Sequence, residues 1–326
     1  MMAPFHYDLA GKRIFVAGHR GMVGSAIVRR LSTESCTILT ADRSTLDLAR
    51  EEATLRWFEA NRPEVVVHAA AKVGGIGANN NFPVDFLCDN LSVELNVVRA
   101  SHAIGVQRLL FLGSSCIYPK HAAQPISEDQ LLTGPLEPTN EWYAIAKIAG
   151  LKMCQAYRRQ FGDDFISAMP TNLYGKGDNY HPDHSHVPAA LIRRFQEAKL
   201  AGAPTVTVWG TGTPLREFLN VDDLADACAF LLKRYSQDMP INVGSGDELS
   251  IADFATLVAE VVGYQGKFVF DVSKPDGTPR KLLDSSRIRE LGWRPQISMR
   301  AGLAAAYADF LRGYGRNLEL SPSASD

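Results

Sequence analysis

Tyr143 and Lys147 stand one helical turn apart in the stretch Glu141-Trp142-Tyr143-Ala144-Ile145-Ala146-Lys147. Residues at this spacing share a helix face, so the pattern sets an ammonium near a phenol. A free phenol titrates near ~10 and is a poor proton donor or acceptor at neutral pH. A neighbouring cation favours the phenolate and brings the group towards the working range. Ala, Ile and Lys tolerate a helix, and Pro138-Thr139-Asn140 supplies its start. An ordinary amphipathic helix shows the same spacing, so its meaning depends on what else the chain assembles around it.

The first such neighbour is near the start. Lys12 to Ala17 reads as a short buried strand that runs into Gly18-His19-Arg20-Gly21-Met22-Val23-Gly24 and then an apolar-periodic helix, Ser25 to Leu31. Strand, glycine turn and helix in this order is the context of a dinucleotide site. The glycines permit a tight turn and close approach of backbone to a pyrophosphate, and the helix N-terminus offers unpaired N–H groups. A second strand, Thr37 to Thr40, ends at Ala41-Asp42-Arg43. Asp42 suits a ribose 2′-hydroxyl, hence NAD; Arg43, with Arg20, suits a 2′-phosphate, hence NADP. Two cations against one carboxylate tilt the expectation to NADP.

Further strands follow at Glu64 to Ala71, Arg108 to Leu112 and Phe165 to Met169. Their carboxyl ends carry the glycine-rich loop Lys72 to Gly77, the turn Gly113-Ser114-Ser115-Cys116-Ile117-Tyr118-Pro119, and Pro170-Thr171-Asn172-Leu173-Tyr174-Gly175. Strands alternating with helices (Asp89 to Gly105, Glu141 to Gln160) predict an α/β fold with a Rossmann-type, doubly wound parallel sheet. His68, inside a strand, reads as a satisfied core histidine. Residues 1–175 form the expected dinucleotide-binding domain, and 176–320 a smaller α+β lobe that closes over a substrate. The boundary leaves room for later segments to rejoin the sheet, and Ser321 to Asp326 is expected to fray.

Composition narrows the classes. An apolar content of 46% with 21% charge is that of a globular domain, and a net charge of -2 argues against a broad nucleic-acid footprint. No apolar run approaches the ~18 residues of a membrane span, and Met1 to Asp8 lacks the features of a signal peptide. Cysteines 36, 88, 116, 154 and 228 are scattered and odd in number, which suits reduced cytoplasmic thiols and neither disulfides nor a metal site.

The glycine turn, the Ser114 turn and the Tyr143/Lys147 pair resemble the extended short-chain dehydrogenase/reductase family. The loop Gly18 to Gly24, Ala70-Ala71-Lys72-Val73-Gly74-Gly75, Gly113 to Pro119, Pro170 to Gly175, Arg216-Glu217-Phe218 and Lys274 to Lys281 are similar to its GDP-L-fucose-forming branch. That resemblance spans nearly the whole chain. It implies a homodimer that uses NADP(H) on GDP-4-keto-6-deoxy-D-mannose, epimerising C3 and C5 and then reducing the C4 ketone. It implies cofactor contacts from Gly18, His19, Arg20, Gly21, Met22, Val23, Gly24 and Arg43. Further contacts are implied at Leu112, Gly113, Ser114, Ser115, Tyr143, Lys147, Pro170, Thr171, Asn172, Leu173 and His186. Arg194, Trp209, Arg216, Asp276 and Lys281 match positions that contact the GDP-sugar.

The implied roles are chemically consistent. The C4 ketone acidifies the protons at C3 and C5, so inversion needs a base and an acid on opposite faces. Family position gives these to Cys116 and His186, a thiolate and an imidazolium being plausible near neutral pH. Ser114 and Tyr143 would donate to the C4 oxygen, Tyr143 would protonate it during reduction, and Lys147 would hold the nicotinamide ribose and lower the Tyr143 pKa. Each residue has a plainer reading: Cys116 as a small buried hydrophobe, Arg194 as a solvated charge, Trp209 as a core anchor, Ser115 in place of Ser114. A nucleotide-sugar 4-epimerase or 4,6-dehydratase shares the Ser/Tyr/Lys set, and a non-catalytic dinucleotide sensor shares the fold.

Overall fold

A computed structural model describes residues 6–182, 185–274 and 276–319. The tail Ser321 to Asp326 lies outside the described residues, as do Met1 to Phe5, His184 and Pro275.

The first half lays down parallel strands with helices between them: β1 (Arg13–Ala17), α1 (Met22–Leu31), β2 (Thr37–Leu39), α2 (Glu51–Asn61), β3 (Val65–His68), α3 (Ile76–Asn81), α4 (Asn90–Ala103), β4 (Arg108–Leu112), α5 (Glu141–Phe161) and β5 (Phe165–Pro170). A π-helical turn, Asp85–Asp89, leads into α4. The chain continues through β6 (Asn172–Tyr174), α6 (Val187–Leu200), β7 (Thr205–Trp209), β8 (Leu215–Asn220), α7 (Val221–Arg234), β9 (Ile241–Val243), β10 (Glu248–Ser250), α8 (Ile251–Val262), β11 (Lys267–Asp271), β12 (Arg280–Lys281), α9 (Ser286–Glu290) and α10 (Met299–Glu319).

The main sheet has six parallel strands in the order β2-β1-β3-β4-β5-β9. Its side chains alternate between two cores, as the two-residue strand period requires. Ile14, Val16, Val65, Val67, Leu110, Ile166 and Ile241 pack with α1 and α7. Phe15, Val66, Leu109, Phe111 and Phe165 pack with α2, α4 and α5. A third core joins α6, α8 and α10 to β7 and β8 through Phe195, Phe218, Phe254 and Leu303.

β9 and α7 therefore serve the main sheet although they come from the second half. Outside it, β8 pairs with β10, β12 and β6, and β7 pairs with β11. The stretch Lys274 to Lys281 is not a loop throughout: Arg280 and Lys281 run parallel to Leu215 and Arg216, which sets Lys281 beside Arg216. Because β1, β3, β4 and β5 are parallel, the loops that leave their carboxyl ends gather along one edge, where ligands of such sheets sit.

Candidate active site

The glycine turn is shaped by backbone proximity. Gly18 adopts φ +83, and a Cβ there would lie 2.7 Å from the backbone of Ala70. A Cβ on Gly24 would lie 2.1 Å from the Gly18 carbonyl oxygen. Only hydrogen fits at either position, so the turn folds tightly onto the end of β3 and the start of α1. Gly21 precedes α1 without a side-chain cap, and no acidic residue occupies the first turn. The opening N–H groups of α1 thus remain available to an anion. This cradle fits a dinucleotide pyrophosphate.

At the end of β2, Asp42 is already engaged. Its Oδ1 lies 2.8 Å from Arg20 Nε and 3.3 Å from His19 Nε2. The expectation set Arg20 and Asp42 on opposing sides of a cofactor choice; the structure joins them. Arg43 instead points into solvent, with 87% of its side chain exposed and Asp47 4.0 Å away.

The Ser114 turn is a single 3₁₀ turn, Ser115–Ile117. Ser114 Oγ accepts from the Cys116 backbone N–H at 3.4 Å. Ser114 is partly exposed, whereas Ser115 and Cys116 are buried. A Cβ on Gly113 would lie 2.4 Å from Met169 Sδ, so this turn is pressed against β5. Burial pushes the Cys116 thiol up; Lys281, Ser114 and Lys147 oppose it.

Tyr143 and Lys147 both lie on α5 and face one another, as their spacing suggested, but the ammonium's ion-pair partner is on another helix. Pro138–Asn140 forms a 3₁₀ turn capped by Glu137 rather than the helix's own cap, and Asn140 makes no side-chain cap. Lys147 is 2% exposed, and its Nζ lies 3.1 Å from Glu94 Oε1 on α4. The same ammonium sits 4.9 Å from the Phe111 ring centre and 5.8 Å from that of Tyr143. Its charge is thus matched by a carboxylate, and the expected acidification of Tyr143 does not occur in this state. Burial holds the phenol well above its usual value, with Cys116 and Glu94 adding to the rise. Glu94 was not legible as a functional residue, since nothing in its local sequence points to a residue on another helix.

His68 is buried as expected but not satisfied. Among the described residues, neither ring nitrogen has a hydrogen-bond partner. Its ring lies 5.6 Å from Phe111, and burial together with Lys147 lowers its pKa to about 3.

Lys281 is the common electrostatic neighbour of Cys116, Arg216, Glu137 and His186. Burial holds Lys281 below the usual lysine range. His186 occupies the N-cap position of α6; desolvation by the protein around its ring, and then Lys281, hold its imidazole pKa below the usual value. In the free protein both effects favour the neutral imidazole. A diphosphate bound beside Lys281 would offset that part of the shift and favour the imidazolium.

The remaining candidates cluster around Trp209 and Asp276. Arg194 stacks over Trp209 at 4.5 Å and Lys274 over the same ring at 5.4 Å. Trp209 is 50% exposed, so it is a presented face rather than a core anchor. Asp276 accepts from Thr211 N at 2.7 Å and Thr211 Oγ1 at 2.9 Å, while its carbonyl accepts from Arg216 Nη2 at 3.1 Å. Asp276 thereby fixes the turn after Trp209 and aims Arg216. Glu137, which the sequence did not single out, faces Lys281 and Arg216 and pairs with Lys120 at 3.0 Å.

At the edge of the sheet, Thr171 Oγ1 and Asn172 Nδ2 both donate to the Glu217 carbonyl, which ties the Pro170 to Leu173 segment to β8. Among the described residues, no cluster of side chains could hold a metal ion.

Comparison with known proteins gives concordant findings. The model of the NAD dependent epimerase/dehydratase family matches residues 14–244. The chain is 57% identical to a GDP-L-fucose synthase of Sinorhizobium fredii, over 95% of this chain and 99% of that protein. It is 52% identical to a GDP-L-fucose synthase of Escherichia coli, over 94% and 99% respectively. A crystal structure of a GDP-L-fucose synthetase from Naegleria fowleri bound to NADP superposes with a TM-score of 0.88 at 27% identity, covering 96% of this chain and 98% of that one.

Proposed function

The chain belongs to the NAD dependent epimerase/dehydratase family, among the GDP-L-fucose synthases, and from that membership we infer its reaction. It converts GDP-4-keto-6-deoxy-D-mannose to GDP-L-fucose by epimerising C3 and C5 and reducing the C4 ketone. NADP(H) is the cofactor, held along the Gly18 to Gly24 turn. When bound, it supplies the reducing hydride.

The observation that carries the assignment of roles is the position of Cys116. The buried Cys116 thiol has Tyr143, Lys147 and Lys281 as electrostatic neighbours. A base near both the reductive residues and a cationic diphosphate site suits a sugar that must be epimerised and reduced in one pocket. Cys116 takes the protons from C3 and C5, and His186 returns them from the opposite face once the bound diphosphate favours its imidazolium. Ser114 and Tyr143 donate to the C4 oxygen as negative charge gathers there. The partial exposure of Ser114 favours it over Ser115 for this task. Tyr143 then gives its proton to that oxygen, and its high pKa in the free protein keeps the proton in place until it is needed.

Arg216 and Lys281 hold the diphosphate, with Asp276 fixing Arg216 from its carbonyl. Arg194 and Trp209 line the approach. The lobe built around the third core supplies these groups, and closing it over the sheet edge would complete the pocket.

The same reading includes a homodimer in the cytoplasm. Leu95 on α4 and Trp142 and Ile145 on α5 expose apolar surface on two helices that pack side by side, as a partner interface would require. All five cysteines are free, in keeping with a reducing compartment. Among the described residues, no helix is long and apolar enough to cross a membrane.

The test is incubation with GDP-4-keto-6-deoxy-D-mannose and NADPH in deuterated water, following cofactor absorbance and the product sugar. Stoichiometric NADPH consumption with deuterium at C3 and C5 of GDP-L-fucose is the expected result. Turnover without net NADPH loss would indicate a 4-epimerase or 4,6-dehydratase instead.

A further inference from the structure

Beneath Tyr143 lies a buried carboxyl that the proposed reaction does not use; burial raises its pKa and Lys147 opposes the rise. Glu94, on α4, is 0% exposed and faces the 2%-exposed Lys147 on α5 at 3.1 Å. Apart from Lys147, neither Glu94 oxygen has a hydrogen-bond partner among the described residues. Gly150, one turn after Lys147 on α5, leaves the room for it: a Cβ there would lie 2.6 Å from Glu94 Oε2 and 2.3 Å from Phe111. The pair is therefore built into the junction of α4, α5 and β4. A buried ammonium without a countercharge is costly and reverts to the neutral amine.

We propose that Glu94 is a positioning residue for the reduction, keeping the Lys147 ammonium charged and fixed under the nicotinamide site. The groups that face Lys147 are few. Among the described residues they are Glu94 from α4, His68 from β3, Cys116 from the 3₁₀ turn after β4, and Tyr143 and Cys154 from α5 itself. Glu94 is the one carboxylate among them. His68, held neutral, adds no competing charge. In the free protein the ammonium rests on Glu94. A bound ribose offers it a second acceptor, so Lys147 can reach upward without ever losing its counterion. Glu94 touches neither substrate nor cofactor in this account and acts only through Lys147.

This inference rests on the proposed reductase activity, so the wild-type assay is its first control; an inactive wild type would defeat that reading and not this one. The experiment measures kcat and KM for reduction across pH in wild type, Glu94→Gln and Glu94→Asp, with circular dichroism to establish folding. In Glu94→Gln the ammonium loses its partner and gives up its proton at lower pH. The alkaline limb of kcat should move down by about one pH unit or more, with a fall of about tenfold at the alkaline end and a smaller one at neutral pH. Glu94→Asp should recover part of the loss. In a Lys147→Met background, Glu94→Gln should cost nothing further in rate.

A Glu94→Gln profile with the same shape as wild type, scaled or not, would overturn the proposal, as would an equal cost in the Lys147→Met background. Where Glu94→Gln does not fold, Glu94→Asp with NADPH titrated across pH replaces it. A lowered alkaline limb of binding supports the proposal and an unshifted limb overturns it.

Discussion

Arg20 Nε lies 2.8 Å from Asp42 Oδ1, so the cation and the carboxylate expected to select between two cofactors are one ion pair. Arg20 is three-quarters exposed and Asp42 more than a third, so the pair itself contributes little to stability. A 2′-phosphate would draw Arg20 off Asp42, whereas a 2′-hydroxyl leaves the pair intact. Arg20→Ala should weaken NADPH binding by roughly tenfold to a hundredfold, the range for a charge-assisted contact, with little effect on NADH. Asp42→Asn should shift preference further to NADPH. Fluorescence titration with both dinucleotides measures this. Equal losses for both in Arg20→Ala would show that Arg20 does not read the phosphate.

Cys116 and Lys281 give a second prediction, with a definite sign. Burial raises the thiol pKa and Lys281 lowers it, so the thiolate depends on a neighbouring ammonium. Removing that charge in Lys281→Met should raise the thiol further. At saturating substrate, solvent deuterium uptake at C3 and C5 should fall near neutral pH and recover as pH rises. The acid limb of epimerisation should move up by about one unit. A limb that stays in place while the rate falls uniformly would confine Lys281 to substrate binding.

Tyr143→Phe isolates the reductive half. The ring stays packed against Phe86, 6.5 Å centre to centre, so folding and NADPH binding should persist. Reduction should fall by roughly a hundredfold to ten-thousandfold, the range for a positioned proton donor. Anaerobic single-turnover loss of cofactor absorbance is the measurement, and a rate within a few-fold of wild type would remove Tyr143 from the proton transfer.

Much of this architecture was legible from periodicity and punctuation. The two-residue alternation of Ile14, Phe15 and Val16, or of Val65, Val66 and Val67, reflects a sheet covered on both faces. Gly18 and Gly24 announced a turn that only hydrogen can fill. What escaped notice was contact between distant elements. Tyr143 and Lys147 were correctly placed on one helix, yet the ammonium's nearest charge is Glu94, and that partner exists only once α4 packs on α5. Lys281 was legible as a cation, but its place beside Arg216 follows from a two-residue strand too short to announce itself. His68 was legible as core; the lack of a hydrogen-bond partner for its ring among the described residues was not.

The glycine turn yields a paired comparison. Gly21 has ordinary room for a Cβ, 3.5 Å from the nearest atom, whereas at Gly24 the nearest atom is 2.1 Å away and is backbone. Gly24→Ala should therefore force the turn off α1, costing about 1–3 kcal/mol or more and most of the NADPH affinity. Gly21→Ala should cost only about 1 kcal/mol, the difference between glycine and alanine at a helix N-cap, and leave the turn in place. Thermal melts with and without NADPH separate the two variants. Similar melting points and affinities would mean that the turn relaxes more readily than its packing suggests.

His68 sets the direction of acid sensitivity. An unfolded imidazole binds its proton near ~6.5, whereas burial and Lys147 hold the folded group down to about 3. The unfolded chain therefore binds the extra proton across that window. Stability from this residue is complete above the unfolded value and drains as pH falls towards the folded one. At about 1.4 kcal/mol per pH unit, the loss between pH 7 and pH 5 should be about 2 kcal/mol. His68→Phe, a ring of similar size facing Phe111, carries no proton and should flatten the profile across the same interval. Urea unfolding of both proteins at the two pH values measures the difference. Midpoints that fall in parallel would place the acid sensitivity elsewhere, and the buried carboxyl of Glu94 would then be the next group to examine.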